Sequence, residues 1–438
     1  MKTVTCDFSR TVGTIRPEHG ICQTPTSSVR HAVCSFDSAD AELAESLFEE
    51  MGCPIRRMRG LRGMYGKSID VPYVFRDFSK DPEEQTNYYF FRSDAAMSDA
   101  AACSETIMYH LGAPYEYWKP IYSVKPADYE KFADICLHLV RHYNDGWANG
   151  FHYGIRYWEI WHRADDPQCW SGGDFEDYYR LYEVTARRIK DAYPGLRVGG
   201  PAAAECGGDN TFLKGFLAYI TKNKVPCDFV SWNYYGEDPA EALRQAREVK
   251  RLVRAAGLPR NVEIVNDEWN CMHFDENLRF DVKNVGNAHG AAFDAAFMMN
   301  MQKAGMDFCT YYGAEAYTPW NGLLDFGWIR PLKPLYAFTA FAKLYRLGTE
   351  VHTAVRGNGT TAMAATNGKK SAVLISVYAE TNQLVEIRTG LPGEKTVFVL
   401  DDDHDLCPLY RTQEETICIP TEGYTVLLVE QCCKEDEK

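Results

Sequence analysis

The sequence lacks Cys-x-x-Cys pairs, long apolar runs and an excess of basic residues. None of its 15 cysteines belongs to a Cys-x-x-Cys pair, which argues against a zinc ribbon and a thioredoxin-type redox motif. No stretch approaches the roughly 20 apolar residues that a membrane-spanning helix needs. The formal net charge of −14 argues against nucleic acid or an anionic membrane as a partner, because basic surfaces bind phosphate groups.

The sequence also contains no glycine-rich phosphate-binding loop and no spaced set of metal ligands, and His273 and His289 each stand alone. We therefore expect no cofactor and no metal, with structural roles for these two histidines. Residues 1–6 contain no apolar signal-peptide core, and the scattered cysteines fit free thiols better than a disulfide framework. These features predict a cytoplasmic location.

Strand-like and helix-like periods alternate over residues 16–346, which predicts a (β/α)8 TIM barrel of the α/β class. The total length of 438 residues leaves room for a second, smaller domain. The eight predicted strands span residues 19–23, 54–59, 105–110, 155–161, 196–200, 228–232, 261–270 and 306–312.

After residue 346 the pattern changes to short alternating runs separated by Asn-Gly, Pro-Gly and Asp clusters. Such runs predict an accessory antiparallel β-sandwich domain over residues 347–432. Residues 1–15 are expected to add a strand to this domain, and residues 433–438 are expected to form a flexible tail.

One predicted strand end carries most of the chemical information. The apolar run at residues 261–265 leads into Asn-Asp-Glu-Trp-Asn, whose glutamate is Glu268. Barrel chemistry takes place at the carboxyl ends of the strands, so Glu268 is expected at the barrel mouth. A second strand, at residues 155–161, is followed by His162 and Arg163, where a partner carboxylate would be expected.

Several motifs resemble those of family 39 glycoside hydrolases. In chain order they are Tyr157-Trp158-Glu159-Ile160-Trp161, Trp170-Ser171-Gly172, Asp177-Tyr178-Tyr179-Arg180-Leu181-Tyr182, Val198-Gly199-Gly200-Pro201-Ala202, Asp228-Phe229-Val230-Ser231-Trp232, Glu268-Trp269-Asn270 and Trp320-Asn321-Gly322-Leu323. The resemblance implies a retaining glycosidase on a (β/α)8 barrel with an accessory β-sandwich. The family includes β-xylosidases, α-L-iduronidases and arabinose-releasing enzymes. By this resemblance Glu268 falls on the catalytic nucleophile.

The resemblance also marks a departure at the acid/base position. Family members follow the strand that ends at Trp161 with Asn-Glu, and that glutamate is the general acid/base; here His162 and Arg163 take the two positions. A guanidinium with a pKa above about 12 does not release a proton at useful rates. We hypothesise that Glu315, just beyond the last strand, is the relocated acid/base. The alternative is a salt bridge between Arg163 and Glu315.

Three other residues compete for the role of proton donor. His162 has a suitable unperturbed pKa, near 6.5, but relatives use its position to orient the sugar 2-hydroxyl. Asp165 and Asp166 lie in the following loop, where a solvated charge is the commoner outcome. Arg163 itself could keep Glu268 ionised or bind an anionic group of a substrate.

Two arginines are expected at the barrel mouth, since alternation places Arg57 and Arg59 on one face of their strand. Family members commonly carry a histidine at the position of Arg59. The pair predicts either an acidic sugar, such as a uronate, held by bidentate bonds, or charge balance against Asp267, Glu268 and Glu315.

Aromatic side chains at strand ends are expected to offer stacking faces to sugars, with roughly half of them in the core instead. The candidates are Trp161, Trp232, Tyr235, Trp269 and Trp320. The predicted substrate-binding residues are Arg59, Trp161, His162, Arg163, Asn233, Tyr235, Trp269, Trp320 and Asn321.

Together these features predict an exo-acting glycoside hydrolase that removes a terminal sugar of the xyloside, arabinoside or uronide type. Its mechanism would be retaining, with Glu268 as nucleophile and an atypical acid/base such as Glu315. The alternative is a catalytically impaired, sugar-binding pseudoenzyme of the same fold. The expected partner is a carbohydrate, with no nucleic acid and no membrane, and the resemblance allows a homo-oligomer.

Overall fold

The structure is a computed structural model that describes residues 1–24, 38–59, 69–113, 123–204, 206–274, 280–315, 318, 320–325 and 329–431. The predicted tail at residues 433–438 lies outside these ranges. In the described part of the chain, no helix is long and apolar enough to cross a membrane.

The described strands and helices alternate through the first three quarters of the chain, after which strands alone follow. The strands are β1 Lys2–Thr14, β2 Gly20–Cys22, β3 Ile55–Met58, β4 Thr106–Leu111, β5 Tyr157–Ile160, β6 Arg197–Ala203, β7 Phe229–Tyr235, β8 Glu263–Asn270, β9 His273–Phe274, β10 Phe280–Asp281, β11 Phe308–Tyr311, β12 Thr349–Arg356, β13 Thr360–Thr366, β14 Ser371–Val377, β15 Gln383–Arg388, β16 Lys395–Leu400, β17 Asp405–Thr412, β18 Thr416–Thr421 and β19 Thr425–Gln431. The helices are α1 Ser38–Met51, α2 Val71–Val74, α3 Phe91–Ala102, α4 Tyr129–Asp145, α5 Phe175–Ala192, α6 Thr211–Asn223, α7 Pro239–Ala255, α8 Ala288–Ala304 and α9 Lys333–Leu347.

Eight parallel strands close into a barrel in the order β11-β2-β3-β4-β5-β6-β7-β8. Each predicted strand overlaps one of these eight, so the barrel prediction is confirmed. Helices pack around the strands, and local sequence sets where several of them begin. Asp174 and Asp177 form a reciprocal capping box at the start of α5, and Pro239 occupies the first turn of α7, where its missing N–H costs nothing.

The second region is one curled nine-stranded sheet in the order β17-β16-β19-β14-β13-β12-β1-β15-β18. The prediction that the amino-terminal segment joins this sheet is confirmed, because β1 pairs antiparallel with β12. Its other neighbour, β15, runs parallel to it, whereas the sequence predicted a wholly antiparallel arrangement.

Strand β14 shows how the sheet attaches to the barrel. Ala372 and Leu374 belong to the same apolar cluster as the barrel helices, whereas Val373, Ile375 and Val377 belong to a second cluster inside the curled sheet. Helix α8 is buried along nearly its whole length, since the sheet covers the face that a barrel helix usually exposes. One face of the sheet therefore continues the barrel core.

The barrel interior changes from apolar to charged towards the carboxyl ends of its strands. Six inward side chains form an apolar layer near the other end: Ile55, Met108, Tyr157, Phe229, Val265 and Phe308. One pleat further along, the inward positions are occupied by Arg57 on β3, Glu159 on β5 and Asp267 on β8. This charged layer forms the floor of the candidate site.

Candidate active site

A bulge in β8 turns two consecutive acids into the barrel. The register with β7 advances from Asn266 to Glu268 in a single step, so Asp267 is an extra residue on β8. The register with β11 gains a residue over the same stretch. In a regular strand Asp267 and Glu268 would face opposite sides, but with the bulge both contact Arg57.

Glu268 accepts charge-assisted hydrogen bonds from two arginines on one oxygen. Its Oε2 atom lies 2.8 Å from Nη1 of Arg57 and 2.8 Å from Nη1 of Arg59. The Tyr235 hydroxyl donates to Oε1 at 2.5 Å. Burial acts to raise the pKa of Glu268, but the two guanidinium groups and this hydroxyl outweigh it and lower the pKa to about 2. Glu268 is therefore a carboxylate at any ordinary pH.

Arg57 connects the floor of the site to Glu268. Its Nε and Nη2 atoms donate to Oε2 of Glu159 at 2.8 and 2.6 Å, and Nη2 lies 2.9 Å from Oδ2 of Asp267. Burial raises the pKa of Asp267 well above its ordinary value, and the neighbouring Glu159 adds to the rise against the opposing effect of Arg57. The raised pKa of Asp267 reduces the negative charge that its carboxyl group adds beside Glu268 and Arg57.

His162 is held as a neutral imidazole in this network. Its Nδ1 atom lies 3.3 Å from Nη2 of Arg57, and a guanidinium can only donate, so Nδ1 accepts and the proton sits on Nε2. The Nε2 atom is 3.8 Å from Oε2 of Glu268. Burial lowers the pKa of His162 well below 6.5, and Arg59, Arg57 and Arg163 add to this effect. The ring is therefore neutral, and its single N–H is too weakly acidic for it to act as the general acid.

Arg163, which the sequence resemblance places at the family acid/base position, lies beside an acid of the following loop. It adopts a left-handed φ of 48°, and its Nη2 atom lies 3.3 Å from Oδ2 of Asp166. Its guanidinium stands 5.9 Å from the centre of the Tyr235 ring, above its face. Asp165 instead accepts from the backbone N–H of Ala204 at 2.9 Å. Asp165 therefore binds a backbone N–H and Asp166 pairs with Arg163. The sequence had instead favoured solvated side chains for both acids.

Glu315 lies immediately beyond the barrel, four residues after the end of β11, and its side chain is buried. Burial raises the pKa of the nearby Tyr312 phenol; Arg59 opposes that shift, while Glu268 and Glu315 both increase it. The two carboxyl groups thus act on the same phenol. Arg163 pairs with Asp166 at 3.3 Å. The salt bridge between Arg163 and Glu315 stays a prediction.

Only part of the predicted aromatic set faces the site. Tyr235 contacts Glu268, and Trp320 stacks on Tyr312 with ring centres 6.2 Å apart. Trp269 is fully buried on the helix side of β8, with its ring centre 3.9 Å from that of Phe297. The expectation of a sugar-stacking face on Trp269 is therefore wrong, because alternation after Glu268 turns it outward.

Trp161 and Trp232 are buried as well, at 2% and 0% exposure. The Trp161 indole donates to the carbonyl oxygen of Cys169 at 3.0 Å and meets Trp170 edge-on. Trp161 lines one wall of a cavity beside β5. Because its ring is packed in this way, neither of its faces is open towards Glu268. Its predicted role as a sugar platform is not supported by this orientation.

Asn233 and Asn321, two of the predicted sugar-binding residues, form hydrogen bonds with other residues of the chain. Asn233 donates from Nδ2 to Oδ1 of Asp267 at 3.0 Å, so it supports the charged floor. Asn321 accepts from the backbone N–H groups of Leu323 and Leu324 at 2.9 and 3.3 Å, which makes it a turn residue.

Sequence reasoning did not assign Glu159 to the site, and it named Asp267 only as a possible charge partner of Arg57 and Arg59. For Glu159 a signal existed: it lies two residues before Trp161 on a strand whose inward positions alternate. No signal placed Asp267 on the same side as Glu268, because strict alternation would have turned the two apart. Gln23, which fixes the Arg59 backbone through a side-chain hydrogen bond and donates its own N–H to the Arg57 carbonyl oxygen at 3.0 Å, was also missed.

Comparison with known proteins finds a family whose model matches this part of the chain. The family model described as glycosyl hydrolases family 39 matches residues 108–319, which include the strands that carry Glu159 and Glu268. The match covers just under half of the chain. The resemblance to family 39 predicted from the sequence is confirmed.

Two curated relatives are both named beta-xylosidase. One, from Geobacillus stearothermophilus, is 29% identical over 283 residues, which are 57% of this chain and 52% of that protein. The other, from Caldicellulosiruptor saccharolyticus, is 28% identical over 187 residues, 40% of this chain and 35% of that protein. The chain thus spans about half of the first relative and about a third of the second.

Solved structures share the fold over nearly the whole chain. A glucosidase from Croceicoccus marinus superposes with a TM-score of 0.77 at 20% identity and covers 98% of both chains. A monomeric beta-xylosidase from Caulobacter crescentus gives a TM-score of 0.74 at 16% identity and covers 98% of this chain and 99% of that one. The fold prediction of a barrel with an accessory β domain is confirmed by this agreement.

Proposed function

We propose that this chain is a retaining glycosidase in which Glu268 attacks the anomeric carbon of a terminal sugar. The observation that supports it is an ionised carboxylate at the carboxyl end of β8, held by Arg57, Arg59 and Tyr235. Retaining hydrolysis needs such a nucleophile to form a glycosyl-enzyme, which water then cleaves. The low pKa keeps Glu268 in the nucleophilic form.

A β-xyloside is our first choice of substrate within the xyloside, arabinoside and uronide classes. The two curated relatives carry the name beta-xylosidase, which supports this order. Arg59 and Arg163 would favour a uronide instead if their guanidinium groups were free. However, Arg59 is engaged with Glu268 and Arg163 with Asp166, so neither carries an uncompensated charge.

Glu315 is our proposed acid/base. Arg163 cannot donate a proton, His162 is neutral, and Asp165 is bonded to a backbone N–H. Glu315 is a buried carboxyl group on the loop after β11, close enough to Tyr312 to influence the same phenol as Glu268. It would protonate the leaving oxygen and then activate water.

The test traps the covalent intermediate. A 2,4-dinitrophenyl 2-deoxy-2-fluoro-β-xyloside should release one equivalent of dinitrophenol per chain and leave the fluorosugar on Glu268, located by peptide mass spectrometry. Its good leaving group needs no acid, so labelling depends on the nucleophile alone. The Glu268→Gln variant should remain unlabelled, and Glu315→Gln should still be labelled. Labelling of a different residue would contradict the proposed nucleophile.

A second candidate function is sugar binding without turnover. It is favoured by the arginine at the family acid/base position and by Glu268 being only 2% exposed, with hydrogen bonds on both of its oxygens. Dinitrophenyl xylosides, arabinosides, galactosides and uronides should separate the candidates. Hydrolysis of any of them supports the enzyme, whereas sugar binding by calorimetry without hydrolysis of any supports the binding protein.

We also propose a reducing compartment such as the cytoplasm. Twelve cysteines in the described ranges form no disulfide, which supports this location. Assembly into a homo-oligomer stays a prediction, to be tested by light scattering of the purified chain.

A further inference from the structure

A cluster of three potential metal ligands lies where the barrel meets the curled sheet, apart from the charged site around Arg57. Glu237 follows β7, Cys271 directly follows β8, and His289 is in the first turn of α8. One carboxylate oxygen, the thiol sulfur and one imidazole nitrogen of these residues lie within 4.8 Å of one another. The sequence predicted no metal and a structural role for His289, because the three ligands come from separate elements.

The distance between sulfur and nitrogen suits a shared metal ion. Sγ of Cys271 and Nδ1 of His289 are 3.8 Å apart. Zinc binds sulfur at about 2.3 Å and nitrogen at about 2.0–2.1 Å, which at a tetrahedral angle separates the two ligand atoms by about 3.6 Å. The two side chains could therefore bind one ion with little movement.

Hydrogen bonds at the cluster fix which nitrogen of His289 carries the proton. The Tyr378 hydroxyl donates its single proton to the backbone carbonyl oxygen of Glu237, which can only accept. The same hydroxyl oxygen lies 2.7 Å from Nε2 of His289, so it must accept a hydrogen bond from Nε2–H. The Nδ1 lone pair is thereby directed at Cys271.

The surrounding contacts resemble the supporting groups of metal sites. A ligating histidine usually donates its other N–H to a neighbouring acceptor, and here Tyr378, just after β14 of the sheet, is that acceptor. Asn284 donates to Oε1 of Glu237 at 3.1 Å, which orients the carboxylate. The Tyr424 ring meets the His289 ring edge-on, with centres 4.3 Å apart, and restricts its rotation.

We propose that Glu237, Cys271 and His289 bind a zinc ion, with water as the fourth ligand, and that the ion ties the loops after β7 and β8 to α8 beneath the curled sheet. Thiolate, imidazole and carboxylate together match zinc better than magnesium or calcium, which prefer oxygen alone. Binding would displace the Cys271 thiol proton to solvent. This proposal does not depend on glycosidase activity.

Cobalt provides a direct probe, because cobalt bound to a thiolate gives a sulfur-to-metal charge-transfer band in the near ultraviolet. The chelator-treated full chain should bind one equivalent of Co²⁺ with this band, and Zn²⁺ should abolish it. Cys271→Ser should lose the band, while Cys418→Ser, which removes an exposed thiol elsewhere, should keep it. Tyr378→Phe should weaken Zn²⁺ binding by roughly 10–100-fold.

Two outcomes would overturn the proposal. One is the absence of a charge-transfer band in the unmodified chain, which needs no variant to fold. The other is a band that persists in both Cys271→Ser and His289→Gln, since the metal would then be bound to other thiols. A rise in the melting temperature of the unmodified chain on adding Zn²⁺, absent from His289→Gln, would support the site independently.

Discussion

Arg59 and Arg57 both donate to the same oxygen of Glu268, each at 2.8 Å. The resemblance to family 39 implies a histidine at the position of Arg59, so this chain places a second full positive charge beside the proposed nucleophile. Its effect is electrostatic: a permanent cation near a carboxylate favours the ionised form and lowers its pKa. The arrangement leaves Tyr235 as the partner of the other oxygen.

Removing the Arg59 charge should move the acid limb of the pH–rate profile. Glu268 must be ionised to attack, and Arg59 is the largest of the effects that lower its pKa to about 2. In Arg59→Gln the pKa should rise, by about 1 to 3 units for loss of one close opposite charge. As the pH is lowered, activity of Arg59→Gln on dinitrophenyl xyloside should then begin to fall at a higher pH than in the unmodified chain. Arg59→Lys keeps a positive charge, so its acid limb should stay at low pH. An unmoved limb in Arg59→Gln would contradict this assignment.

The same pKa makes stability depend on pH. The folded-state pKa of Glu268 is about 2 against an ordinary 4.5. A lowered carboxyl pKa stabilises the fold above the unfolded value and loses this effect as pH falls through the folded value. The full contribution is about 3 kcal/mol, of which about 2 kcal/mol is lost between pH 7 and pH 3. Urea unfolding should show the free-energy gap between the unmodified chain and Glu268→Gln narrowing by that amount at pH 3.

All eight barrel strands could be predicted from the sequence because hydrophobic runs and alternation are local signals. Alternation also predicted that Arg57 and Arg59 share a face, and it would have turned Trp269 outward had it been applied beyond Glu268. The bulge at Asp267 could not be predicted, since nothing in the strand marks an extra residue. The meeting of Cys271 with His289 was equally hidden, because it depends on how separate elements pack.

An acid placed at position 163 should rescue a chain that has lost Glu315. The resemblance to family 39 implies an acid/base at this position, and Arg163 cannot replace it because a guanidinium does not release its proton. In the Glu315→Gln background, Arg163→Glu should raise kcat/KM for a methyl or alkyl xyloside by about 10²-fold or more, the usual contribution of general acid catalysis. Dinitrophenyl xyloside should change far less. Arg163→Gln is the control, since it removes the charge without supplying an acid.

Loss of Glu315 should show the leaving-group signature of a missing acid. If Glu315 protonates the leaving oxygen, Glu315→Gln should lower the rate of glycosylation by about 10²–10⁴-fold for poor leaving groups. With dinitrophenol as leaving group, release of the first equivalent should be nearly unchanged, and steady-state turnover should be limited by slow deglycosylation. An alkyl xyloside hydrolysed equally well by Glu315→Gln and the unmodified chain would eliminate Glu315 as acid/base.

Substitution of Trp269 should affect mainly the stability of the fold, whereas substitution of Trp320 should affect mainly sugar binding. Trp269 is fully buried against Phe297, and removing a large core ring costs about 3–5 kcal/mol. Trp269→Ala should therefore lower the free energy of unfolding, whereas Trp269→Phe should recover most of it with KM unchanged. Trp320 stacks on Tyr312 at the mouth, so Trp320→Ala should raise KM with a smaller loss of stability. A raised KM in a stably folded Trp269→Phe variant would mean that this ring reaches the sugar after all.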